Sequence, residues 1–144
     1  GYHYSNEWKK GIFLDGSKIS SYLERISKKF DVRPNNPFLK SANLSGGNQQ
    51  KLVLAREIDS KPKILLVGQP TRGVDIGAIE YIHKHLVEMR ENGVAVLLIS
   101  VELDEIMSLS DRIIVMNNGE IVGELSSKES DEKKIGLMMA GIKN

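Results

Sequence analysis

Apolar and polar positions along this chain follow two different periods, and the change between them divides it. Up to about Asp15, aromatic, charged and glycine residues show no clear period, so the first segment, residues 1–16, is expected to be irregular and poorly ordered. From Ser17 to Phe30, Ile19, Tyr22, Leu23, Ile26 and Phe30 fall at helical spacing with basic residues between them, which predicts an amphipathic helix. "DVRPNNPFLKSAN" has loop chemistry, and "LSGGNQQKLVLAREID" resumes as a second helix opened by Ser45 and two glycines. From Lys63 the pattern changes. "KILLV" is a short continuous apolar strand, "IGAIEYIHKHLVEMRENG" a helix closed by Gly93, and "VAVLLIS" a second buried strand. "ELDEIMSLS" predicts a short helix, "DRIIVMNNGEIVGEL" two strands joined at Asn117, Asn118 and Gly119, and "ESDEKKIGLMMAGI" a last helix. Strands apolar on both faces and alternating with helices predict an α/β fold: a mostly parallel, helix-covered sheet with a hairpin at its edge.

Composition narrows this little. At 144 residues, 40% hydrophobic and 27% charged, the chain suits one ordinary globular domain or part of one, and a formal charge of +1 gives no field that argues for nucleic acid. The longest apolar run, Val94 to Val101, is far shorter than the roughly 20 residues that span a bilayer. The absence of cysteine excludes disulfides and thiolate metal sites.

"LSGGNQQK", Leu44 to Lys51, resembles the signature motif of ABC-type ATPases, in the variant of ATP-binding subunits of simple-sugar and nucleoside importers. Three later segments follow in the family's order: "QPTRGVD" resembles the end of the Walker B strand and the D-loop, "LLISVELDEI" the switch-histidine segment, and "SDRIIVMNNGEIVGE" the closing strands. The likeness runs from Leu44 to Glu124. It is most similar to the second ATPase domain of the two-domain subunit, commonly degenerate in this family. The resemblance implies a partial P-loop NTPase fold of the ABC-ATPase type, with a helical subdomain carrying the signature helix over 17–59 and the C-terminal part of the α/β core with its tail helix over 60–144.

A serine and two glycines at a helix start offer backbone N–H groups, a hydroxyl and the positive end of the helix dipole to an anion. Ser45, Gly46 and Gly47 are thus candidates for a γ-phosphate contact, with Leu44 opening the motif and Asn48, Gln49 and Gln50 in the first turn within reach of nucleotide or an opposing domain. The plainer reading is a serine-capped helix after a glycine turn. In the family this motif closes over ATP held by a partner domain. Asp75 matches the D-loop acid that faces that partner, and it also reads as a cap for the following helix; Thr71 and Arg72 are candidates for the same interface.

Where the family's strand ends in an aspartate for magnesium and a glutamate for the attacking water, this chain has Gly68 and Gln69, and Val101 stands at the switch histidine. Glycine supplies no ligand, a neutral amide accepts no proton, and valine does neither. The domain's own nucleotide site is therefore expected to be non-hydrolytic. No G-x-x-x-x-G-K-[ST] occurs, so the phosphate loop, the adenine-stacking residue and the Q-loop are expected upstream of Gly1, and the isolated chain is expected to be inactive and to bind ATP poorly.

His83 and His85 sit two apart on a helix, do not share a face, and read as surface or interhelical residues with no metal assigned. Met107, Met116, Met138 and Met139 read as core or tail packing, and Trp8 with Tyr2 and Tyr4 as a weak candidate contact surface. The resemblance implies ATP and Mg2+ shared with a partner, the first ATPase domain and the permease as direct partners, the solute-binding protein as an indirect one, no nucleic acid, and a peripheral place on the cytoplasmic face of the inner membrane. The alternative is a non-transport interaction module with this fold and no nucleotide cycle.

Overall fold

The computed structural model describes residues 8–10 and 13–142. The elements in order are β1 (Lys9–Lys10), β2 (Phe13–Leu14), α1 (Gly16–Lys29), a 3-10 turn (Ser41–Asn43), α2 (Gly46–Asp59), β3 (Ile64–Gly68), α3 (Ile76–Glu91), β4 (Ala95–Ile99), α4 (Leu103–Leu109), β5 (Arg112–Asn117), β6 (Glu120–Ser126), a second 3-10 turn (Ser127–Glu129) and α5 (Glu132–Met139). They fall into two compact units, one formed by Gly1–Pro62 with Gly73–Ile82, the other by Lys63–Arg72 with His83–Asn144.

In the first unit, α1 begins where Asp15 accepts from the Lys18 N–H and ends with Lys28 and Lys29 at the negative end of its dipole. Its stop is a Schellman motif: Asp31 N–H donates to Lys28 O and Val32 N–H to Ser27 O, with Asp31 at φ +48 where glycine is the usual occupant. Ile26, Phe30, Val32 and Ala55 are buried together, with Tyr22, Leu44, Leu52, Ile58 and Tyr81 packed around them. Burial of Phe30 and Ile26 contributes about 1.5–3 kcal/mol each, which holds α1 on α2. Within the segment that showed no period, Lys9–Lys10 (β1) and Phe13–Leu14 (β2) pair antiparallel, and Trp8 is buried edge-on against Tyr22 with ring centroids 4.7 Å apart. Burial of an indole depends on the area it finds against a helix face and not on a repeat, so periodicity does not reveal it. Tyr2 and Tyr4 lie outside the described residues.

In the second unit, β3 and β4 pair in parallel from Ile64↔Ala95 to Gly68↔Ile99. The linking helix α3 stops at Gly93, φ +82, where Val94 N–H reaches Met89 O. β5 and β6 form the predicted hairpin, but as a two-stranded sheet of their own and not at the edge of the β3–β4 pair. Its turn is tighter than the pattern suggested, because Asn117 pairs with Glu120 and only Asn118 and Gly119 adopt positive φ. Ile113, Val115, Leu125 and Ile135 make the core that seats α5 on the hairpin, joined by Met107 and Met138, whereas Met116 and Met139 are exposed rather than packed.

The strands were expected to be covered on both faces. Leu65 is buried, but Ile64 and Leu66 are 65% and 69% exposed, and Leu97 and Ile99 are 52% and 56% exposed. Since strand residues alternate, these four share the face opposite Leu65, and among the described residues nothing covers it. No helix of the described residues is long and apolar enough to cross a membrane.

Candidate functional site

The turn that opens α2, read from sequence as the signature, and the turn at Gly73–Asp75, read as the D-loop, meet within the first unit. Ser45 caps α2: its Oγ accepts from the Asn48 backbone N–H at 3.4 Å and from Asn48 Nδ2 at 2.9 Å. Asn48 Oδ1 accepts from the Arg33 N–H at 2.7 Å, which ties it to the loop after α1, and Gln49 Nε2 donates to Leu44 O at 3.0 Å, so it turns back onto its own turn. Gln50 is half-buried. Leu44 packs on the core. Gln49 N–H is taken by Ser45 O, which leaves the Gly46 and Gly47 N–H groups at the helix start with no intrahelical acceptor. These two groups, the Ser45 hydroxyl and the helix dipole suit an anion.

Glycine at these positions also has an intramolecular reason. A methyl on Gly46 would stand 3.3 Å from Gly73 O, and one on Gly47 would stand 3.1 Å from both Ala78 Cβ and Asp75 Oδ2. The start of α2 is therefore pressed against the start of α3. Asp75 caps α3, its Oδ1 accepting from the Ala78 N–H at 2.9 Å.

In the second unit, parallel pairing brings the carboxyl ends of β3 and β4 together: Gly68, read from sequence as a Walker B position, pairs with Ile99, two residues before Val101, read as the switch position. Gly68 ends β3. Gln69 follows at φ +50, with its N–H donating to Ile99 O at 2.8 Å and its carbonyl accepting from Arg72 N–H at 3.3 Å. Thr71 is buried and Arg72 exposed. Val101 is exposed, and Glu102 N–H donates to Ser100 Oγ at 3.0 Å. Positions 68, 69 and 101 thus carry no carboxylate or imidazole, and among the described residues no group of three or more His, Cys, Asp or Glu is placed to hold a metal. The residues present fit the anionic end of a nucleotide at Ser45–Gly47 and do not fit a magnesium ion at the end of β3.

His83 is interhelical. Its Nε2 lies 2.9 Å from Oε1 of the buried Glu105 on α4, while Glu105 Oε2 has no hydrogen-bond partner among the described residues. Sequence reasoning missed this carboxylate, and it missed Lys51, whose Nζ contacts Asp31. For Lys51 a signal was available, since it stands one helical turn after Gly47 and shares its face.

No family model matches the chain. The nucleoside import ATP-binding protein NupA of Lactococcus lactis is 48% identical over 96% of this chain and 28% of its own length. The guanosine import ATP-binding protein NupO of Bacillus subtilis is 51% identical over 91% of the chain and 26% of its own length. A ribose import ATP-binding protein of Streptococcus agalactiae is 40% identical over 95% of the chain and 28% of its own. Among solved structures, an ATP-binding cassette crystallised as a post-hydrolysis dimer with ADP and phosphate matches with a TM-score of 0.66 at 25% identity, over 80% of this chain and 50% of that one. An inward-facing transporter of metal-chelate type has the same fold, with a TM-score of 0.72 at 13% identity over 97% of this chain and 54% of that one. The chain is a homologue of the ATP-binding proteins of nucleoside and sugar import, of which it spans about a quarter, and its α/β fold is part of an ABC ATPase cassette.

Proposed function

We propose that this chain is part of the ATP-binding subunit of a nucleoside or simple-sugar importer, and that it donates the turn Leu44–Gln50 to an ATP site built mainly by a partner ATPase domain. Gly46 and Gly47 N–H and the Ser45 hydroxyl receive the terminal phosphate, and Asp75 lies beside them at the same interface. The partner supplies the phosphate loop, the magnesium carboxylates and the base, chemistry that Gly68, Gln69 and Val101 cannot perform. The chain's own nucleotide site is non-hydrolytic, so the pair of sites works asymmetrically. Residues 17–59 act as the helical subdomain facing the permease, residues 60–144 as the C-terminal part of the core. The assembly sits on the cytoplasmic face of the membrane, with the solute-binding protein as an indirect partner.

One observation carries this reading: an anion-ready helix start is kept intact in a chain whose strand end holds glycine and glutamine. Calorimetric titration of magnesium ATP into the chain, alone and then mixed with the first ATPase domain of the same subunit, tests it. The expected result is silence alone, binding and turnover in the mixture, and loss of turnover with Ser45→Arg. Tight binding by the chain alone, or turnover indifferent to Ser45→Arg, refutes it.

A further inference from the structure

We infer that Lys51, the last residue of the signature string, is a positioning residue that clamps the signature turn onto the D-loop turn and does not touch nucleotide; its functional consequence rests on the reading above. Lys51 Nζ lies 3.3 Å from Asp31 O, 3.3 Å from Asp31 Oδ2 and 4.6 Å from the centre of the Tyr81 ring. Its side chain is only 14% exposed. Two hydrogen bonds, both to Asp31, and a cation–π contact with Tyr81 engage the ammonium, so reaching a phosphate would mean leaving all three.

The placement of these partners makes the contact a clamp. On α2, Gly47 and Lys51 are one turn apart; on α3, Ala78 and Tyr81 are one turn apart. Gly47 meets Ala78 and Asp75, and Lys51 meets Tyr81, giving two successive rungs between the same helices. One rung fixes how close the helices come, and a second fixes their rotation. Asp31 closes the frame from the end of α1. It holds a left-handed conformation that glycine adopts without steric cost, and its carboxylate is what glycine would lack: it pairs with Lys51 and, at 2.8 Å, with Arg33. The backbone N–H of that same Arg33 donates to Asn48 in the signature turn. The phosphate-facing turn and Asp75 are thereby carried as one body.

The test is amide hydrogen exchange on the 144-residue chain, read at Asn48, Gln49, Ala78 and Ile79, with α5 as internal reference. Lys51→Met, which keeps the stem and removes the charge, is expected to speed exchange at these four amides roughly five- to tenfold and to leave α5 unchanged. Lys51→Arg is expected to restore slow exchange. Adding Tyr81→Leu to Lys51→Met is expected to add less than it does alone. Asp31→Asn, half-buried and nearly isosteric, reads the same frame if Lys51→Met fails to fold, with roughly a twofold increase expected. Unchanged exchange at Ala78 and Ile79 in the folded variants overturns the clamp. So does a Lys51→Met variant that abolishes the magnesium ATP response of the mixture while exchange stays slow, which would make the ammonium a nucleotide ligand. A wild-type mixture with no ATP response sinks the donated-site reading instead, and the exchange data still decide the clamp.

Discussion

Gly47→Ala sets two effects of known sign against each other. In a helix, alanine gains about 0.5–1 kcal/mol over glycine because it loses less backbone entropy. Here the new methyl would stand 3.1 Å from both Ala78 Cβ and Asp75 Oδ2, closer than ordinary van der Waals contact. Ala78 Cβ is fixed to a helix backbone, and Asp75 is held by its bond to the Ala78 N–H, so neither yields without displacing the start of α3. Overpacking of this kind costs about 1–3 kcal/mol, which outweighs the propensity gain and leaves a net loss of roughly 1 kcal/mol. Gly47→Val has two further carbons and little propensity gain, so its loss is about 2–3 kcal/mol. Gly16→Ala is the control, because a methyl there meets nothing within 4 Å and φ is not positive. Urea unfolding followed by circular dichroism is the assay. With a slope of about 1–3 kcal/mol/M, Gly47→Ala should lower the midpoint by about 0.5 M and Gly16→Ala should hold or raise it. If Gly47→Ala proves as stable as Gly16→Ala, α2 and α3 do not meet as described, and the glycine has no packing role.

The Asp31 carboxyl is held below the usual aspartate range, first by its hydrogen bond from Arg33 and then by that from Lys51. A pKa lowered on folding contributes stability above the unfolded value that is lost as pH falls through the folded one. Urea midpoints should therefore drop below about pH 4, and Asp31→Asn should flatten part of that limb, to which Glu129, lowered by its hydrogen bond from Ser126, also contributes. Gly123→Ala would place a methyl 2.5 Å from Met138 Sδ; methionine turns aside at a cost of about 1 kcal/mol, so the same change in a Met138→Ala background should cost nearly nothing, and additive losses would disprove the contact. His83→Ala strands the buried Glu105 carboxylate and should lower stability by about 1–3 kcal/mol, against under about 0.5 for exposed Lys84→Ala, measured by the same unfolding assay.

Elements whose information is local were legible from sequence. The apolar stripe of α1, the Gly93 stop of α3 and the Asn118–Gly119 turn are set by residues within a few positions of one another. Polar residues whose burial depends on distant partners were not legible. Lys51 finds Asp31 across 20 positions and His83 finds Glu105 across 22, and neither distance leaves a periodic trace. Trp8 was missed for the same reason, since its burial depends on Tyr22 and not on a repeat. The strands read correctly as apolar on both faces, yet periodicity cannot tell how many faces find a cover. At the site, the helix start at Ser45–Gly47 could be picked out by residue type, whereas positions 68, 69 and 101 were marked only by the family resemblance. That Gly68 pairs with Ile99, two residues before Val101, needed the register of a parallel pair.

The bare face of the β3–β4 pair has a calorimetric consequence. Ile64, Leu66, Leu97 and Ile99 are largely in water before unfolding begins, so melting the strands releases little new apolar hydration there. The heat-capacity increment of this chain should fall below the roughly 12–15 cal/mol/K per residue of covered domains. Its stability curve is then flatter than that of a covered domain of the same size.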